Sequence, residues 1–130
     1  MMMRKYEVEE LEAIQKAKDF LNGYRLCVEM LNLRKYERRR LQNPLDTSGC
    51  ADILAGDEAF WRARMYAVSA LLGKMKNGRE KLMLYYHYVK GESVERAAPL
   101  LGVSRRTAFR IHQKALLSAS YLLNSMKKTM

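Results

Sequence analysis

The sequence predicts an all-α fold. Two long stretches carry apolar residues at helical spacing, and the final third holds a dense apolar and aromatic run followed by two short helical patterns around a glycine. No segment alternates apolar and polar residues for long enough to propose a sheet. The 130 residues, 48% hydrophobic and 29% charged, suit one compact domain or two small helical units and exclude wholesale disorder.

In the first stretch Ile14, Ala17, Leu21, Tyr24, Val28 and Leu31 recur at intervals of three or four residues, which places them on one stripe of a helix running from about residue 8 to 41. Gly23 costs such a helix about 1 kcal/mol relative to alanine, so a kink or break can form there. Arg38-Arg39-Arg40 puts positive charge where a helix C-terminus favours it. Residues 42–56 include Asn43-Pro44, Asp46-Thr47-Ser48-Gly49 and Gly56, a composition that reads as a connecting loop. Asp57 then looks like the N-cap of a second helix over 57–76, whose Trp61, Met65, Val68, Leu72 and Met75 form a matching stripe. Gly78 reads as its stop. Two helices with this period pack along each other as an antiparallel pair or form the seam of a homodimer. Residues 1–78 are thus expected to be a helical N-terminal region, and residues 79–130 a separate module.

The module opens on Arg79–Val89, a mostly buried helix stopped near Gly91. Ser93–Ile111 then meets the requirements of two short helices crossing at a steep angle. Ser93 can cap the first helix, and Ala98 is small enough for the second to cross close by. Gly102 supplies the positive φ of the turn, Val103 plugs the corner, Ser104 caps the second helix, and Ala108 and Ile111 turn its inner face to the core. Pro99 lies inside the first helix without an amide to bond back to Glu95, so a kink is expected there.

Charge points to a partner. The formal net charge is +10, and it is uneven: residues 1–56 carry 10 Lys/Arg against 9 Asp/Glu, residues 57–130 carry 14 against 5. After Glu95 no acidic residue occurs, while Arg96, Arg105, Arg106, Arg110, Lys114, Lys127 and Lys128 follow. A polyanion is the partner such a distribution suits. A helix-turn-helix with a basic second helix suits double-stranded DNA, because the N-terminal residues of that helix enter the major groove. Ser104, Arg105, Arg106, Thr107, Phe109, Arg110, Gln113 and Lys114 are the candidate DNA-binding residues. Each arginine can grip phosphate or read a guanine edge, and only the second carries sequence information. Phe109 can meet a thymine methyl or pack on a neighbouring helix.

Leu84–Leu116, with Tyr88-Val89-Lys90-Gly91, Leu100-Leu101-Gly102-Val103-Ser104-Arg105-Arg106 and Arg110-Ile111-His112-Gln113-Lys114-Ala115-Leu116, resembles the region 4 helix-turn-helix of sigma-70-type factors. The order of helical half, turn-rich linker and this module is similar to small phage and prophage regulators of the RinA and ArpU type. The resemblance implies a transcription regulator that binds promoter DNA and activates phage late genes with the host RNA polymerase. Nothing is similar to a sigma region 2, so a complete sigma factor is not implied. A phage DNA-packaging or assembly factor that binds DNA through the same motif is the rival reading.

Other classes have less to stand on. His87 and His112 lie far apart, near no carboxylate cluster, and no glycine-rich phosphate loop is present, so no catalytic residue is expected. His87 is expected to be part-buried among tyrosines, and His112 to sit on a helix near DNA. Cys27 and Cys50 have neither disulfide-framework nor zinc spacing, so no metal or cofactor is expected and both read as free thiols in a reducing cytoplasm. No run of about 18 apolar residues occurs, and Met1–Lys5 is followed by acidic residues rather than an apolar segment, so neither membrane insertion nor secretion is expected. A membrane-surface role fits less well than DNA, because the basic residues lie on a motif with a turn rather than on one amphipathic helix.

Overall fold

The computed structural model describes the backbone of residues 7–40 and 48–128 and the side chains of residues 7–39 and 57–126. The described residues are all-α. Helices α1 (Val8–Arg40) and α2 (Ser48–Lys74) are followed by α3 (Gly78–Leu84), a π-helical turn (Tyr85–Val89), α4 (Val94–Leu101) and α5 (Arg105–Lys128). No strand is present among them.

Helix α1 runs unbroken through Gly23, where a Cβ would lie 3.5 Å from Nη2 of Arg64 on α2. Arg64 also hydrogen-bonds Cys27, and Arg34, about two turns further along α1, meets Asp57 at 2.7 Å. Contacts advance along α1 as they retreat along α2, so the two helices are antiparallel. Arg34 also holds Glu37, at 2.9 Å, and Arg38 pairs with Glu58. The stripe read from the sequence is the packed one: Ile14, Ala17 and Leu21 are buried, and Tyr24, Val28 and Leu31 are half-buried. Cys27, fully buried, belongs to it as well, and its thiol is pushed up by burial.

Two boundaries differ from expectation. Residues 48–56, expected in a loop over 42–56, are the first turns of α2, and 41–47 lie outside the described residues. Gly49 and Gly56 each cost a helix about 1 kcal/mol, a small penalty for extending one already nucleated further on. Asn77-Gly78 is a start and not a stop. Asn77 is extended, with φ −78° and ψ 116°, and its Oδ1 accepts from the Glu80 amide at 3.1 Å, so it caps α3.

Helix α5 ties the molecule together. Ala115, Leu116 and Ala119 on its inner face join Ile14, Ala17 and Leu21 of α1, Val68, Leu71 and Leu72 of α2, and Leu84 and Tyr88 in one buried cluster. A second cluster, of Met83, Val94, Ala97, Ala98 and Ala108, fills the space between α3, α4 and the start of α5. The boundary expected near residue 78 therefore does not separate two cores, because the larger one draws on both sides of it.

The π-helical turn closes with the Lys90 amide donating to the Tyr85 carbonyl at 3.0 Å, five residues back. Gly91 leaves it at φ +79°, where a Cβ would collide with the Arg25 guanidinium. Glycine is needed there on both counts, conformation and space.

Candidate nucleic-acid interface

Helix α4 is fixed at both ends by its own sequence. Ser93, extended at φ −67° and ψ 159°, accepts from the Arg96 amide through Oγ at 3.1 Å. At the other end Gly102 is left-handed, with φ 70° and ψ 33°; its amide donates to the Pro99 carbonyl at 3.1 Å, and the Val103 amide donates to Ala98 at 3.0 Å. This is the Schellman arrangement, and half-buried Val103 packs against the cluster containing Ala97 and Ala98, the apolar contact that accompanies it. The helix continues past exposed Pro99 to Leu101, with Pro99's missing amide costing it only the bond back to Glu95.

Ser104 begins α5. Its Oγ accepts from the Thr107 amide at 3.2 Å and donates to Thr107 Oγ1 at 2.9 Å, so both hydroxyls serve the cap. Ala108 is fully buried and Ile111 half-buried against the second cluster, and this pins one face of the helix down. Arg105, Arg106, Phe109, Arg110 and Lys114 are on the exposed side, while Thr107 and Gln113 are half-buried at its margins. Arg106, Arg110 and Lys114 follow at four-residue intervals, a ridge about 12 Å long at 1.5 Å per residue. Phe109 is 42% exposed, and the Arg105 guanidinium lies over its ring with Cζ 5.9 Å from the centroid. Arg105 Nη2 also pairs with Glu95 Oε1 on α4 at 2.8 Å.

His112 does not belong to this surface. It is buried, with Nε2 2.9 Å from the Tyr88 hydroxyl and its ring 5.0 Å from that of His87, centroid to centroid. Burial, helped by the His87 and Lys18 charges, lowers its pKa to about 4. Burial pushes the Tyr88 phenol up, so that it stays protonated and can donate to a neutral imidazole. His87 Nδ1 donates to the Glu92 carbonyl at 2.7 Å, half-buried as expected. His112 was expected on a helix near DNA; it is on the helix, but its position along the turn points it into the core.

Two further partners had no local signal. Glu95 reaches Arg105 across the turn from ten residues away, and Tyr88 meets His112 over a separation of 24. Among the described residues no group of three His, Cys, Asp or Glu side chains is placed to hold a metal ion, and no helix is long and apolar enough to cross a membrane. No protein-family model, no curated protein and no solved structure matches the chain.

Proposed function

We propose that the chain is a sequence-specific DNA-binding regulator of transcription that lays the N-terminal turns of α5 in the major groove. One observation carries this reading: Arg105, Arg106, Arg110 and Lys114 stand exposed on a helix whose opposite face is held to the core by Ala108 and whose start is fixed by a capped turn. A rigid helix bearing cations on one side matches the groove in shape and charge. The resemblance to sigma-70 region 4 over Leu84–Leu116 supports the finer reading, a phage or prophage late-gene activator working with the host polymerase in the cytoplasm. A homodimer joined through α1 and α2 would present two such helices to a two-fold symmetric site.

The test is binding to a duplex selected from random sequence and to a scrambled one. Replacing Arg105, Arg106 and Arg110 together with alanine should abolish binding to both while leaving the melting temperature almost unchanged, as expected of surface positions. Arg106→Ala alone separates the two roles of an arginine. A base reader loses about 1–3 kcal/mol of discrimination at one base pair, and a phosphate contact weakens binding to every sequence alike. Unchanged affinities in the triple variant would sink the proposal.

A further inference from the structure

The contact between Glu95 and Arg105 assigns this helix face a division of labour. We infer that Glu95 is a specificity-determining residue, which withholds Arg105 from DNA phosphates and presents it to a guanine edge. The inference rests on the DNA-binding reading above.

Arg105 is held from two sides: Nη2 on the Glu95 carboxylate at 2.8 Å, and the guanidinium plane over Phe109. Both partners are themselves exposed, so the arrangement lies on the surface that would meet DNA. Among the described residues neither Arg110 nor Lys114 has a carboxylate partner. These two can take phosphates without giving anything up.

For Arg105 the two kinds of DNA contact differ in consequence. A phosphate must either displace Glu95 or share the guanidinium with it, and both bring a second anion up against the carboxylate. A guanine offers two neutral acceptors, O6 and N7, and the guanidinium has five N–H donors, so it can keep Glu95 on one and read the base with others. The ion pair is weak while water surrounds it, and it strengthens as the groove displaces that water. Glu95 therefore penalises the sequence-independent mode more than the specific one, an instance of discrimination by repulsion.

The experiment uses the full chain in four forms: wild type, Glu95→Gln, Arg105→Ala, and the two combined. Affinities for the wild-type-selected duplex and a scrambled duplex are measured over a range of salt. Glu95→Gln should raise affinity for scrambled DNA several-fold and lower the ratio of specific to scrambled binding. It should also steepen the log–log salt slope on scrambled DNA by about 0.9, the increment of one added phosphate contact. In the Arg105→Ala background the same change should leave ratio and slope where they were. Equal effects of Glu95→Gln in both backgrounds, or an unchanged ratio, would overturn the inference while leaving DNA binding intact. A wild-type chain that binds neither duplex would overturn both. The swap is isosteric and exposed, and thermal melting serves to check that each variant is folded.

Discussion

Among single residues, His112 has the clearest consequence for solution behaviour. Its folded pKa of about 4 lies below the ordinary 6.5, so between these values the unfolded chain binds a proton that the folded chain excludes. Stability supplied by the neutral imidazole is complete above pH 6.5 and is lost as pH falls towards 4. At 1.36 kcal/mol per unit the loss is about 3 kcal/mol. Urea unfolding at a series of pH values should show this decline, and His112→Gln should flatten it; an equally steep decline in the variant would assign the effect elsewhere. The two left-handed glycines offer a paired comparison. Alanine at Gly102 meets nothing within 4 Å and should cost only the strain of positive φ, about 1–2 kcal/mol. Alanine at Gly91 must also displace Arg25, so it should cost more, and Arg25→Ala should recover part of the excess. Equal losses at the two glycines would show the Arg25 contact to be without effect.

At the level of elements, periodicity made the interior of each helix legible and left several ends wrong. Ile14, Ala17, Leu21, Val68 and Leu72 could be assigned to a core because burial selects one face and spacing reveals it. The starts of α2 and α3 could not, because Ser48-Gly49 and Asn77-Gly78 can each start or stop a helix and the choice is made by neighbours. The exposed cations of α5 were legible for the same reason as the core, being what remains once Ala108 and Ile111 are buried. Glu95 beside Arg105, and His112 beside Tyr88, were not, since pairings between separate elements leave no periodic trace. The closeness of α5 to its neighbours depends on Ala115 and Ala119, both fully buried. Ala119→Leu should therefore overpack that contact and cost about 1–3 kcal/mol in chemical denaturation, whereas Asn124→Leu, exposed on the same helix, should cost little. Similar values at the two sites would mean that α5 is loosely seated.

For the whole molecule, the sharing of the larger cluster decides what can be taken apart. A boundary near residue 78 was a fair inference from the glycine stop and the helix-turn-helix pattern beyond it, and it would make 79–130 an independent DNA-binding piece. In the structure Ala115, Leu116 and Ala119 rest on Ile14, Ala17, Leu21, Val68 and Leu71. A fragment from Gly78 onward exposes that side of α5. It should show reduced helical circular dichroism and no cooperative melt, recovering both when residues 1–77 are supplied as a second peptide. A cooperative melt from the fragment alone would show that the smaller cluster suffices.

The length of α5 gives this sharing a consequence for inheritance. Its first turns hold the residues proposed to choose the DNA, and its later turns are seated against α1 and α2. Recombination that cut the gene between α2 and α3 would hand the new host a reading head without its socket. Natural exchange should therefore preserve the chain as one piece, and new binding preferences should arise by point changes on the outer side of α5 while its inner side stays constant.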